Sequence, residues 1–460
     1  MGRRFGTATR AASFAVAAFL LIGPTGGGAR GGQAETEPSH FGISRSEFAA
    51  RRKAAMAAMP DGILVVRGSV EEEAGEASKF RQNNWFFYLT GIEAPGGYLV
   101  LDATAPDGAN ERIYLPAVNP LYERWTGPQV APDAETAARY GLDVARTVDK
   151  LEADLAAVLA SADGSRKLRI YTIIPGGAAA RFSRDTATVE MLERLITPER
   201  KQSWAMESAS HYLGELRRKK SAAEVALLRR AIAITGEAQE GVARVVAPGT
   251  FEYVAEAAIL SAYLRNGAMR QGFPSIVGSG PFSTVLHYAN NTRRMEAGDL
   301  VVVDIGAEYN YYTADITRTW PVSGSFTPRQ RQIYELVLAT QRAAEEAYRP
   351  GMTMQDLNRI AREYMKKSPL RDSAGATLDT AFVHGLGHFL GLEVHDVGDY
   401  SKPFQPGDVF TIEPGIYLPD ERLGVRIEDD YLVTEKGLVK LSADIPSDPN
   451  DVERLVKERK

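Results

Sequence analysis

Four acidic residues in the second half of the chain stand where acids are costly. Asp304 ends the β-branched run Val301-Val302-Val303. Such a run reads as a buried strand, and a carboxylate inside one needs a partner or a metal. Asp315 follows on the next strand-like stretch. A turn around Tyr309-Asn310 predicts 304 and 315 as cross-strand partners, ~5 Å apart between Cβ atoms. That spacing suits two carboxylates sharing a pair of cations ~3.5–4 Å apart. Glu413 closes the apolar run Val409-Phe410-Thr411-Ile412, and Pro414-Gly415 stops it. Glu428 lies inside Gly424–Val433, where a period of two puts Arg426, Glu428 and Asp430 on one face and Val425, Ile427 and Asp429 on the other. A lone Asp more often caps a turn, and a lone Glu more often makes a surface salt bridge. Four strand-borne acids in one domain call for compensating charge, which two divalent cations supply.

Histidines add the nitrogen. Four of the six fall at 287, 384, 388 and 395, and three of these lie in HGLGHFLGLEVHDVG, residues 384–398. One histidine alone is usually a core or surface residue; three in this short segment, beside a carboxylate cluster, point to a site. His388 is the candidate ligand. No Glu follows His384, so this is not the HExxH zinc-protease pattern. Mostly oxygen ligands with one imidazole suit manganese better than a closed zinc site.

These residues need a scaffold. A chain of 460 residues is too long for one ordinary core, so two domains are expected. Residues 41–205 read as a smaller α/β unit, with strands at Ile63–Val66, Tyr98–Leu101, Ile113–Leu115 and Leu168–Ile174, and helices at Ser46–Met59 and Leu151–Ala160. No acids or histidines there have ligand spacing, so this unit is expected to support or oligomerise rather than react. Residues 206–220 read as a linker ending in the basic run Arg217-Arg218-Lys219-Lys220. Residues 221–445 read as an α+β catalytic domain. Ser221 and Glu224 form a capping box for its first helix, whose apolar face holds Val225, Leu228, Ile232, Val242 and Val246. Helices follow at Phe251–Asn266 and Pro328–Tyr348, and strands at Leu300–Ala307, Tyr311–Trp320, Asp408–Glu413 and Gly424–Val433.

The N-terminus reads as an export signal. Arg3, Arg4 and Arg10 precede the apolar residues 11–22, and Gly32 and Ala34 offer cleavage after Ala34, so residues 1–34 form a signal peptide. The apolar run is short for a membrane span. Arg3-Arg4-Phe5 leaves open Sec or twin-arginine export. A periplasmic or secreted location is expected. The chain has no cysteine, which excludes disulfides, thiol catalysis and Cys-ligated zinc. A net charge of −5 with interspersed signs suggests no nucleic-acid partner.

Residues 221–435 resemble the pita-bread metallopeptidases (M24), which include aminopeptidase P, proline dipeptidase and methionine aminopeptidase. The matching stretches are FPSIVGSG (273–280), LHYANN (286–291), VVDIGAEYNYYTADITRTW (302–320), HGLGHFLGLEVHDVG (384–398), TIEPGIY (411–417) and GVRIEDD (424–430). Residues 41–205 resemble the creatinase-type N-terminal domain of aminopeptidase P, notably in RQNNWFFYLTG (81–91). The resemblance implies a pita-bread fold, five metal ligands (Asp304, Asp315, His388, Glu413 and Glu428) and two divalent ions, manganese with zinc or cobalt as alternatives. It implies Glu413 as general base, His395 and His287 on the scissile group or its neighbour, Arg426 orienting the acids together with Tyr417, Tyr417 also binding substrate, and His384 lining a proline pocket. The implied reaction is hydrolysis of an N-terminal Xaa-Pro bond by a homo-oligomer, dimer or tetramer. The alternatives are an Xaa-Pro dipeptidase and a silent binding protein with the same fold. The loop between Glu413 and Glu428 is short for the family, which affects the cleft rim and not the ligands.

Overall fold

The computed structural model describes residues 39–70, 79–106, 108–161, 167–174 and 186–458. The expected signal segment and cleavage position lie outside these residues.

Alternating apolar residues build the N-terminal half. Its sheet has six strands, in the order Val144–Thr147, Glu111–Leu115, Tyr98–Asp102, Gly62–Arg67, Leu168–Thr172 and Trp204–Ser208. The three inner strands from 111 to 67 pair antiparallel, and the outer pairings are parallel. Ile63 and Val65 face helix Leu151–Ala160, whereas Leu64 and Val66 face Phe48, Phe86 and Phe87 on the other side. The two edge strands, at 144 and 204, add to the four expected from sequence. Their side chains are half-exposed, so neither carries a strong apolar signal.

The second face of this sheet joins a core that also contains Leu228, Ile232, Tyr311, Tyr312 and Leu390 of the C-terminal half. From Pro38 onward the chain is one unit. Residues 206–220, expected as a linker, are folded: the strand ending at Ser208 leads into helix Ser210–Arg218. Arg217, Arg218 and Lys220 of the basic run are buried in ion pairs, while Lys219 is exposed. Arg217 meets Asp396 at 2.6 Å, Arg218 grips Asp408 through two bonds, and Lys220 meets Asp396 at 2.9 Å.

In the C-terminal half the Ser221–Glu224 capping box opens helix Ala222–Val245 as expected. Helices Glu252–Arg265, Pro328–Ala347, Met354–Lys366 and Pro449–Lys457 complete the outer layer. Met354–Lys366 and Pro449–Lys457 were not anticipated. Inside, among the described residues, lie four small sheets. One pairs Ile276–Ser279, Leu300–Ile305 and Ile316–Pro321. Another pairs Val409–Ile412, Asp429–Thr434 and Gly437–Lys440. The third is the hairpin Gly415–Leu418 with Leu423–Arg426, and the fourth joins Tyr312–Thr313, Ala307–Tyr309 and Arg270–Gln271.

Three long strands expected from sequence are interrupted. The first breaks at Gly306, the second at Ala314–Asp315, and the third at Ile427–Glu428. Gly306 is required by a close approach, since a Cβ there would lie 1.8 Å from the Ala314 carbonyl oxygen. The turn, one residue later than expected, changes the register: Asp304 faces Thr317, not Asp315. Asp315 instead sits just outside the ladder, two residues before Asp304's partner. The turn is Asn310-Tyr311, with Tyr309 paired to Tyr312.

Candidate metal centre

The strand breaks bring the acids together. Asp304, Asp315 and Glu428 are all buried and line one cavity of about 510 Å³ with Glu413 and His388. Oxygens of Asp315 and Glu428 and a nitrogen of His388 lie within 4.8 Å of one another. His388 Nε2 stands 3.3 Å from Asp315 Oδ2 and 3.5 Å from Glu413 Oε1. A Cβ at Gly387 would lie 1.9 Å from the Thr411 carbonyl oxygen, so glycine lets the histidine segment lie against the Glu413 strand.

The donor set fits a divalent cation. Asp304 Oδ1, Asp315 Oδ1 and Glu428 Oε1 are buried without a hydrogen-bond partner. Such oxygens are costly unless something cationic is shared among them. Burial, then the neighbouring Glu428, drives the Asp315 carboxyl well above its usual range, and the same two causes act on Glu413. Burial and Asp304 push Glu428 up to about 8. The cluster therefore holds protons that a cation displaces. His388 is matched to it: Nδ1 faces the Phe389 carbonyl at 3.2 Å, so Nδ1 carries the hydrogen and the Nε2 lone pair points at the acids. Burial, then His395, lowers His388 to about 4, keeping it neutral.

A directed hydrogen-bond chain runs behind the acids. Arg426 Nη2 donates to Asp304 Oδ2 at 2.7 Å, and Nη1 donates to the Tyr417 hydroxyl at 2.8 Å. That hydroxyl donates to His384 Nε2 at 2.8 Å, because His384 Nδ1 must donate to the Gly385 carbonyl. Burial, then Arg426, lowers His384 to about 4. Arg426 Nε reaches the Thr317 hydroxyl, which donates to Glu428 Oε2 at 2.7 Å. The pleat argument placed Arg426, Glu428 and Asp430 together, and each does meet the acid cluster; Asp430 Oδ2 accepts the Asp315 N–H at 3.2 Å. Asp429 points the other way, onto Arg318.

His287 and His395 line the cavity and are exposed, and the His395 ring is 4.3 Å from that of His388. Burial of part of the ring, then His287, lowers the His395 pKa. His384 lines the cavity too. Tyr417, expected to bind substrate, does not line the cavity: it stands behind the lining, held between His384 and Arg426.

Sequence reasoning missed three features. Phe273, Pro274, Ile276, Leu286 and Val394 form an apolar wall beside the acids. All five lie in the quoted motifs, so the signal was present. Thr317, next to the Asp315 segment, is the second. The third is a pair of buried glutamines on outer helices. Gln239 donates to the carbonyls of Val303 and Ile316, flanking Asp304 and Asp315. Gln341 donates to the Ile412 carbonyl beside Glu413 and to Asp429 beside Glu428. A buried glutamine on an apolar helix face is the cue that could have found them.

Fold and site together define a metal-dependent hydrolase of the mixed α+β class, with a supporting α/β half in front. Residues 226–435 match metallopeptidase family M24, and residues 48–168 match the aminopeptidase P N-terminal domain. The Xaa-Pro aminopeptidase of Escherichia coli (strain K12) is 33% identical over 443 residues, spanning 90% of this chain and 98% of that one. The proline aminopeptidase P II from Yersinia pestis has a similar structure, with a TM-score of 0.79 at 33% identity over 90% of this chain and 100% of that one. Aminopeptidase P from E. coli with the inhibitor Pro-Leu gives 0.79 at 34% identity, over 90% and 98%. The chain belongs to metallopeptidase family M24, with an aminopeptidase P N-terminal domain.

Proposed function

We propose that the chain hydrolyses the bond between an N-terminal residue and a following proline, using two divalent cations held by Asp304, Asp315, His388, Glu413 and Glu428. The single observation that carries the reading is the set of buried, unpartnered carboxylate oxygens around His388 in one cavity. The Xaa-Pro aminopeptidase relatives and the Pro-Leu complex of a related enzyme support the substrate class. Manganese suits a set of oxygens with one imidazole, with zinc and cobalt as alternatives.

Bound there, the cations supply Lewis acidity and lower the pKa of water to near neutrality. Glu413 accepts the proton of the attacking water. His395 and His287, exposed at the cavity, donate to the scissile carbonyl as it gains charge or to the carbonyl after proline. Arg426 fixes Asp304 and, through Tyr417, the tautomer of His384. His384 lies against the proline, whose ring packs on the wall of Phe273, Ile276 and Leu286. Proline has a fixed φ, so little conformational entropy remains to lose on binding.

Peptides longer than two residues are the proposed substrates. The test compares kcat/KM for Xaa-Pro, Xaa-Pro-Yaa and Xaa-Ala-Yaa with manganese added. The tripeptide with proline is expected to be fastest. Faster cleavage of the dipeptide moves the assignment to proline dipeptidase, and equal cleavage of the alanine peptide removes the proline claim.

Export through residues 1–34 and a dimer or tetramer are further parts of the proposal. Tyr253, Leu260 and Leu264 form an outward apolar row on helix Glu252–Arg265, which supports assembly; light scattering on the purified chain measures it. No helix among the described residues is long and apolar enough to cross a membrane.

A further inference from the structure

The hairpin that carries Asp304 and Asp315 turns at Asn310-Tyr311, and both residues are left-handed, with φ of +48° and +75°. Two-residue turns of this kind favour Asn-Gly. A bulky aromatic in that region is strained, and such strain persists only where the surroundings over-determine it.

The surroundings of Tyr311 do so. Its ring is fully buried and stacks on Phe87, with centroids 3.6 Å apart and planes 14° apart. The Arg81 and Arg270 guanidinium groups lie 5.0 and 4.9 Å from its centroid. Its hydroxyl donates to Glu93 and accepts the Gln82 N–H at 3.0 Å. Arg81, Gln82, Phe87 and Glu93 all belong to the N-terminal half. The hairpin of the metal centre is thus plugged into the other half of the molecule by one residue.

Arg81 extends the same connection. Its Nε meets Glu308, three residues before Tyr311, at 2.7 Å. Its Nη2 donates to the Leu392 carbonyl at 2.9 Å, and its Nη1 to Asn84 at 2.9 Å. Asn84 in turn donates to Glu393 at 2.8 Å. Leu392 and Glu393 lead directly into His395.

We propose that Tyr311 and Arg81 form a latch through which the N-terminal half holds the hairpin of Asp304 and Asp315 at the spacing that binds the cations, with the His395 segment beside it. The inference rests on the metal-site reading above. Asp315 needs such help. It lies in the break between Tyr312–Thr313 and Ile316–Pro321, outside the strand ladder, and faces like-charged Glu428 and Asp304. An anchor four residues away at the hairpin tip keeps it from retreating. Tyr311 and Arg81 are positioning residues; neither lines the cavity.

The test titrates the full chain, stripped of metal, with Mn2+ alone by calorimetry. The variants are Tyr311→Gly, Tyr311→Phe, Arg81→Ala and Arg81→Lys. Glycine relaxes the turn while removing the ring, so a merely local role predicts unchanged affinity. The latch predicts Mn2+ binding weakened ~10-fold or more in Tyr311→Gly and Arg81→Ala, with the metal-free circular dichroism of wild type. Tyr311→Phe keeps the stacked ring and retains most of the affinity, and Arg81→Lys recovers part. Wild-type affinity in folded Tyr311→Gly overturns the latch. If that variant does not fold, the Arg81 pair decides, and wild-type affinity in Arg81→Ala overturns it. A wild-type chain that takes up no Mn2+ overturns the metal-site reading instead, and the latch with it.

Discussion

Arg426 donates to Asp304 at 2.7 Å from a guanidinium that is only 3% exposed. The same fork reaches Tyr417 and Thr317, and through them His384 and Glu428. One planar group therefore sets two acids and one imidazole. Lysine has no fork to divide among them. Arg426→Lys should lower kcat/KM for Xaa-Pro-Yaa ~10–100-fold, the usual range for residues that orient ligands. Steady-state kinetics at saturating manganese checks this; near wild-type values would remove Arg426 from the orienting role.

Glu428 gives a pH signature to the metal-free protein. Its carboxyl is pushed up to about 8 by burial and by Asp304. The fold then holds a proton that the unfolded chain releases at lower pH. Its contribution to stability is complete below the unfolded carboxylate range and is lost as pH rises through about 8. Metal-free protein should melt at a higher temperature near about pH 6 than near about pH 9, by an amount on the order of a few kcal/mol in stability. Saturating manganese should shrink the difference, because cation binding displaces those protons. Scanning calorimetry with and without manganese measures both, and a metal-free melting temperature that rises over this interval would count against the protonated cluster.

Glu413 differs from the other acids in its proposed double role. Its Oε1 faces His388 at 3.5 Å, and its other oxygen is 3.8 Å from His384. Glu413→Gln keeps one ligand oxygen and loses the base. Turnover should fall ~10²–10⁴-fold, the range expected for a general base, while manganese content, measured by mass spectrometry, falls less. Asp304→Ala should lose metal and activity together. Full turnover in Glu413→Gln would assign the base elsewhere.

Export predicts a shortened mature chain. Protein isolated from its native host should begin near Glu35 when sequenced from the N-terminus. An intact Met1 in a cytoplasmic fraction would contradict removal of residues 1–34.

The buried acids of the cavity were legible in the sequence because burial of charge leaves a local mark. Asp304 after three valines and Glu413 after Val409-Phe410-Thr411-Ile412 are acids ending apolar strands, and few physical environments tolerate that. Helix Ala222–Val245 was legible for a similar local reason, its Ser221–Glu224 box. The pairing was not. Asp304 and Asp315 were expected to face one another, but the hairpin turns at Asn310-Tyr311, one residue later, so Asp304 faces Thr317 and Asp315 falls just outside the ladder. Moving a two-residue turn by one residue shifts each cross-strand partner by two, and only the packing around Tyr311 decides where the turn falls. The family resemblance implied Tyr417 at the substrate, yet hydrogen bonds to His384 and Arg426 hold it behind the cavity. Arg217 and Arg218 read as the basic end of a linker, yet Asp396 and Asp408, nearly two hundred residues on in sequence, make their burial possible. Types of residue and their spacing along the chain determined what the site could hold. Which residues face it, and which stand behind, was decided by contacts between segments that are distant in sequence, where no local pattern records the partner.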